Sequence, residues 1–365
     1  MSSHTWPSWL PLRADLAELS AYGAPQVPSL AQLNTNENPY APSAELVDAI
    51  TARISVVAKT LNRYPDRDAM ELRSALAKFL NNISGTSLGL NQIWAANGSN
   101  EIIQSLFLAC GSRAALGFTP SYSMHPLIAR VTATQWHAGS RNLDFTIDVD
   151  GALAQIAQIQ PGLTFVTTPN NPTGTSISLQ DLDLLAHACA KVSGLLVVDE
   201  AYAEFSNDPS AVTLLDDHPN IVVIRTMSKA FAFAGVRLGY LAAREELVDA
   251  MLLVRLPYHL STLTQAAAIA ALEFQAQSLA TVQVLRQSRD SLALKLEDLG
   301  CSVIPSSANF LLFSVENPQS VWRSLLDQGV LIRDVGLSGY LRVSIGNEAE
   351  NEQFISALRQ SLGGK

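Results

Sequence analysis

Between about residues 44 and 258 the chain alternates short apolar runs with stretches whose apolar residues recur three and four positions apart. The runs include Ala114-Ala115-Leu116-Gly117-Phe118, Leu163-Thr164-Phe165-Val166, Leu195-Leu196-Val197-Val198 and Ile221-Val222-Val223-Ile224. Successive side chains of a strand point to opposite faces, so a run apolar at every position belongs in a sheet covered on both sides. The stretches between keep a helical spacing, as at Ile102, Ile103, Leu106 and Phe107, and again at Leu182, Leu185 and Ala186. This alternation predicts an α/β domain over residues 44–258, with a mostly parallel sheet flanked by helices.

The texture then changes. An Ala/Leu/Gln-rich stretch from about Thr264 to Leu299 reads as one long helix. Short strands follow around Phe310-Leu311-Leu312-Phe313, Val330-Leu331-Ile332 and Leu341-Arg342-Val343-Ser344-Ile345. Residues 259–365 therefore read as a smaller α+β domain. Residues 1–43, rich in Pro, Asn and Ser and weakly periodic, read as an arm contributing to it rather than as a core element. A ligand cleft is expected between the two domains.

Composition narrows the class without naming a function. A net charge of -9, with the acidic residues dispersed, leaves no footprint for nucleic acid or an anionic membrane. Three widely spaced cysteines, Cys110, Cys189 and Cys301, each lie in or beside apolar sequence and read as buried free thiols in a reducing compartment. Six scattered histidines with no close His/Cys/Asp cluster argue against a dedicated metal site. The first residues lack a basic segment followed by an apolar one, and no apolar stretch matches a bilayer. A cytoplasmic protein is the expectation.

Candidate chemistry lies at or just beyond the C-terminal ends of the expected strands, where open α/β sheets place ligands. Asn97-Gly98-Ser99-Asn100-Glu101 precedes a helix, and a Gly-Ser turn there presents backbone N–H groups to an anion; it serves equally as an ordinary N-cap. Asn170-Asn171-Pro172-Thr173-Gly174 is a turn whose asparagine can donate into a cleft, or a turn with no further role. Asp199-Glu200-Ala201-Tyr202 ends a buried strand. Its carboxylate needs a partner, which a protonated ring nitrogen, a metal or an ion pair would supply. Tyr122 offers a face for stacking, or packs in the core. Thr226, Ser228 and Arg237 surround Lys229, placing an amine beside a candidate phosphate cup.

In this order the features resemble the fold-type I pyridoxal phosphate aminotransferases of classes I and II, over nearly the whole chain. The resemblance implies that Lys229 bonds the aldehyde of pyridoxal 5'-phosphate and that Asp199 pairs with its ring nitrogen. It further implies that Tyr202 and Asn171 contact the ring oxygen, that Tyr122 stacks on the ring, and that Ser99, Asn100, Thr226, Ser228 and Arg237 hold the phosphate.

Further segments narrow the resemblance. Leu33-Asn34-Thr35-Asn36-Glu37-Asn38-Pro39-Tyr40, Asn62-Arg63-Tyr64-Pro65-Asp66, Arg225-Thr226-Met227-Ser228-Lys229-Ala230-Phe231 and Leu341-Arg342-Val343-Ser344-Ile345-Gly346 look like those of histidinol-phosphate aminotransferases. That family implies amino transfer between L-histidinol phosphate and 2-oxoglutarate in L-histidine biosynthesis, giving imidazole acetol phosphate and glutamate. It also implies a homodimer in which Tyr64 reaches the neighbouring cofactor phosphate. Arg342, Arg333 and Tyr22 match substrate anion-binding positions, and one arginine fork can take a phosphate or a carboxylate in turn. Arg333 serves equally in a salt bridge to Asp334. Aromatic aminotransferases share almost all these motifs, and phosphoamino-acid decarboxylases share the fold and the phosphate-binding arginines; both are alternatives.

Overall fold

The computed structural model describes residues 6–19, 21 and 23–363. Its strands are β1 (Ala31–Gln32), β2 (Ile93–Ala96), β3 (Ala115–Thr119), β4 (Trp136–Ser140), β5 (Leu163–Thr167), β6 (Leu195–Asp199), β7 (Ile221–Thr226), β8 (Gly239–Ala243), β9 (Phe310–Ser314), β10 (Val330–Leu331) and β11 (Tyr340–Ser344). Among the described residues, seven of these form one sheet in the order β2-β8-β7-β6-β5-β3-β4. β8 runs antiparallel to both its neighbours, and the other pairs are parallel.

The apolar runs divide by parity, as two-sided burial requires. Leu196, Val198, Ile221 and Val223 enter one hydrophobic cluster, while Val197, Val222 and Ile224 enter the other on the opposite face. Each such side chain contributes about 1.5–3 kcal/mol when fully buried. The helix Leu179–Lys191 covers the first face through Leu182, Leu185 and Ala186. The helix Ser99–Cys110 covers the second through Ile102, Ile103, Leu106 and Phe107. Burial on both faces fixes the register of the strands and so the positions of their C-terminal ends.

Two small sheets complete the frame. β9 and β11 pair antiparallel, with Arg342 opposite Leu312. β1 pairs in parallel with β10, so the segment expected as an arm rather than a core element becomes part of the interior at Ala31, Leu33, Asn34 and Asn36. The Leu33 amide donates to the Leu331 carbonyl at 2.8 Å, and the Leu33 carbonyl accepts from the Ser344 amide at 2.9 Å. Its weak periodicity reflects a two-residue strand continued by hydrogen-bonded asparagines rather than by apolar packing.

The long helix expected from Thr264 to Leu299 is two helices, Thr262–Glu273 and Gln275–Asp298, broken at Phe274. The first is buried nearly all round. The second buries Val282, Leu285, Arg289, Leu292 and Leu296, a single stripe spaced by three and four. No Gly or Pro marks the break, which follows the change from full to one-sided burial. Cys110 is half-buried rather than buried, whereas Cys189 and Cys301 are buried. Among the described residues no helix is long and apolar enough to cross a membrane.

Candidate active site

The C-terminal ends of β5, β6 and β7 open onto a cavity of about 500 Å³. Residues 34–37, the N-terminus of the helix Ser99–Cys110, and Arg333 and Arg342 close its other sides. Of the residues singled out in the sequence, Ser99, Asn100, Tyr122, Asn171, Asp199, Tyr202, Thr226, Ser228, Lys229, Arg237, Arg333 and Arg342 all line this cavity. Tyr22 lies outside the described residues. Tyr64 is not among the lining residues; it is 79% exposed and stacks on Tyr258 with ring centroids 4.4 Å apart.

One end of the cavity is an anion cradle. The helix beginning at Ser99 has no side-chain cap on its first N–H groups, which suits it to take an anion instead. Gly98 has φ +83°, and a Cβ there would lie 2.7 Å from Arg237 Nη2. Glycine is therefore required twice, for the backbone angle and for the approach of the guanidinium. Thr226 Oγ1 donates to Ser228 Oγ at 3.0 Å, and Arg237 Nη1 donates to the same Ser228 oxygen at 3.4 Å. A Cβ on Gly239, the first residue of β8, would come within 2.4 Å of the Ser99 nitrogen. Thus bare backbone lets β8 pass against the helix terminus.

The amine and the carboxylate stand beyond the cradle. Lys229 Nζ donates to the Thr35 carbonyl at 2.8 Å. Burial of the ammonium, joined by the nearby charge of Arg342 and opposed by Glu37, lowers its pKa to about 8, with Arg237 adding to the fall. Asp199 is 2% exposed at the last position of β6. Its Oδ2 lies 3.0 Å from His125 Nε2, and its Oδ1 accepts from the Ala201 amide at 3.2 Å. Tyr202 accepts at its hydroxyl from Asn36 Nδ2 at 3.0 Å and packs edge-on to Phe310. Tyr122 donates to Asn100 Oδ1 at 3.2 Å.

On the far side Arg342 donates to Asn171 Oδ1 at 2.5 Å and to the Asn34 carbonyl at 2.7 Å, with its guanidinium 5.2 Å from the centre of the Phe310 ring. With Oδ1 engaged, the Asn171 amide retains its donor, the sense a ring oxygen needs. Arg333 pairs with Arg342 through backbone hydrogen bonds of 3.0 Å in both directions, so both arginines belong to one rigid corner. Asp334 turns instead to the Gly336 amide, 2.8 Å away.

Residues 34–37 and His125 were not singled out individually in the sequence. Thr35 acts through a carbonyl, which no side-chain pattern reveals. His125 does carry a signal: it follows Tyr122 by three positions and faces the ends of β5 and β6, where Phe165 packs on its ring. Arg225 also escaped notice. It is buried and bonds Glu200 at 2.8 Å and Glu204 at 2.9 Å. That ties the turn after Asp199 to the strand leading to Lys229.

The donor set is suited to an anion at the helix terminus, a carbonyl carbon at Lys229, a protonated ring nitrogen at Asp199 and a second anion at Arg342. Pyridoxal 5'-phosphate with an anionic amine substrate has these groups, and the cradle at Gly98 and Arg237 fits its phosphate.

A fold and site of this kind define a class, and residues 28–358 match the family model for aminotransferase class I and II. The chain belongs to that family. It is 54% identical over 352 residues to the histidinol-phosphate aminotransferase of Mycobacterium sp. (strain JLS), covering 95% of this chain and 93% of that one. It is 52% identical over 357 residues to the histidinol-phosphate aminotransferase of Corynebacterium glutamicum (strain R), covering 97% of each. The crystal structure of histidinol-phosphate aminotransferase from Sinorhizobium meliloti in complex with pyridoxal-5'-phosphate superposes with a TM-score of 0.85, over 96% of this chain and 97% of that one. At 24% identity, that likeness establishes the shared fold.

Proposed function

We propose that this chain is a pyridoxal phosphate-dependent histidinol-phosphate aminotransferase. It transfers an amino group from L-histidinol phosphate to 2-oxoglutarate, giving imidazole acetol phosphate and glutamate, in L-histidine biosynthesis. The observation that carries the chemistry is the gathering of Lys229, Asp199, Arg237 and Arg342 around one cavity. The substrate follows from relatives at 52–54% identity that bear this name over nearly the whole chain.

When bound, the cofactor supplies an aldehyde that takes up the amine and a ring that accepts an electron pair from the substrate carbon. Ser99, Asn100, Thr226, Ser228 and Arg237 hold its phosphate, Tyr122 stacks on its ring, and Asn171 and Tyr202 donate to its ring oxygen. Asp199, positioned by His125, keeps the ring nitrogen protonated and so maintains the pull on electrons. Lys229 would hold the aldehyde carbon in the absence of substrate and, once free, would move a proton between the substrate carbon and the cofactor C4′. Its lowered pKa suits a group that must give and take a proton near neutrality. Arg342, with Arg333 and Tyr22, binds the substrate phosphate in one half of the cycle and the keto-acid carboxylate in the other.

The active unit on this reading is a homodimer. Tyr64 and Tyr258 stack on each other, and Leu61, Leu253 and Leu256 are exposed in the same two segments of the chain. The two segments are joined by Arg255, which donates to the Arg67 carbonyl and to Asp68. Exposed apolar groups of this kind offer a binding surface for another chain. On this reading Tyr64 would reach the cofactor phosphate of the second copy.

Substitution of the amine tests the mechanism. Lys229→Ala is expected to retain cofactor noncovalently while its half-reaction with histidinol phosphate, followed by cofactor absorbance in stopped flow, falls by at least about a thousandfold. A half-reaction at the wild-type rate in that variant overturns the assignment.

A further inference from the structure

Away from the cavity, two imidazoles converge on one carboxylate. Asp183 and His187 lie four residues apart on the helix Leu179–Lys191, a spacing that puts both on one face. His218 comes from the loop before β7 and is buried. Its Nε2 is 2.7 Å from Asp183 Oδ1, while His187 Nδ1 is 3.5 Å from Asp183 Oδ2. The two rings meet edge to face with centroids 4.6 Å apart. One ligand atom from each of the three residues falls within 4.8 Å of the others. The cluster was not expected from the scattered histidines, because His218 lies far along the chain from the helix it meets.

We propose that Asp183, His187 and His218 form a binding site for a divalent transition-metal ion of the zinc type. Two imidazole nitrogens and a carboxylate oxygen are an established ligand set for such ions, and a tetrahedral ion with bonds of about 2.0–2.2 Å needs its ligands about 3.3 Å apart. The Asp183–His218 pair, hydrogen-bonded at 2.7 Å, must open by about 0.6 Å and give up its shared proton to reach that spacing, and the larger movement falls on His187. Its side chain is 63% exposed and free to turn. Binding exchanges the 3.0 Å contact between His187 Nδ1 and the Asp183 carbonyl for a metal bond. Water from solvent completes the fourth position beside the exposed histidine. The ion would pin the helix to the loop that starts β7, at the opposite end of that strand from Thr226 and Lys229. Its role is structural, and it stands independently of the proposed reaction.

The test uses tag-free holoenzyme, dialysed against chelator and then titrated with zinc sulfate by calorimetry, with thermal unfolding measured at each end point. Wild-type protein is expected to bind one Zn²⁺ per chain and to gain about 2 °C or more in Tm. His187→Ala, at an exposed position, and Asp183→Asn are each expected to weaken binding more than about tenfold and to abolish the Tm gain. Amino-transfer activity of the loaded His187→Ala enzyme should stay at the wild-type level. Absence of saturable binding in the wild type, or equal binding in wild type and both variants, overturns the proposal. A tetrahedral Co²⁺ absorption spectrum that survives in His187→Ala would do the same.

Discussion

Lys229 shows how much of the chemistry a single residue reveals and how much depends on its surroundings. The sequence marks it through its neighbours Thr226, Ser228 and Arg237, because hydroxyls and a guanidinium around an amine form a rare combination. What the sequence does not carry is the environment that sets its proton affinity: burial, Arg342 and Arg237 on one side, and Glu37 on the other. Desolvation and like charge disfavour the ammonium, so the neutral amine is populated at a lower pH than for a free lysine. The rate at which cofactor-free enzyme takes up pyridoxal phosphate should therefore rise with pH to a midpoint at about 8 and level off above it. A stopped-flow pH series checks this, and a rate still climbing toward 10.5, the ordinary lysine value, would contradict it. His125 and the Thr35 carbonyl were harder to see: the spacing of His125 from Tyr122 is a slight signal, and Thr35 acts through backbone.

At the level of elements, the strands were legible because two-sided burial writes an unbroken apolar run, and their ends fixed the candidate ligands. The helix break at Phe274 was not legible, since it arises from a change in packing partners rather than from a local breaker. Nor was the burial of residues 31–36, whose partners in β10 and β11 lie some 300 positions away. The Arg225 triad joins β7 to the turn after β6 where the Asp199 and Lys229 segments must stay in register. Burial pushes the Glu204 carboxyl pKa up, against the pull of Arg225, so the site already strains to hold two acids. Arg225→Ala would strand those acids in the interior. It should cost about 3–5 kcal/mol of stability in urea unfolding followed by circular dichroism. A loss under about 1 kcal/mol would show that the triad does not hold the two strands together.

For the whole molecule, the open question is which copy of the chain Tyr64 serves. The sequence places it in an Arg-Tyr-Pro segment, and the single chain leaves it exposed outside the cavity. Action across a dimer has a distinctive consequence. Tyr64→Ala and Lys229→Ala homodimers should each be impaired, yet co-expression should recover activity, because one site of the hybrid has an intact Tyr64 and an intact Lys229. If Tyr64 served its own chain, no hybrid site would be whole, and the mixture would stay as impaired as its parts. Activity of purified hybrid dimers decides between these outcomes.

Cofactor chemistry alone does not select a substrate, since Lys229 and Asp199 would serve any amine. On the proposed reading the selecting groups lie around Arg342, Arg333 and residues 34–37, which line the cavity beside the ends of β5 to β7. The most direct measurement is therefore kcat/KM for L-histidinol phosphate beside L-phenylalanine, each with 2-oxoglutarate as acceptor. The account predicts a preference for histidinol phosphate of at least about a hundredfold, as relatives at 52–54% identity bearing that name imply; the phenylalanine carboxylate can still pair with Arg342, so the discrimination falls on its ring and its missing phosphate. Phenylalanine turned over with equal or higher kcat/KM would contradict it.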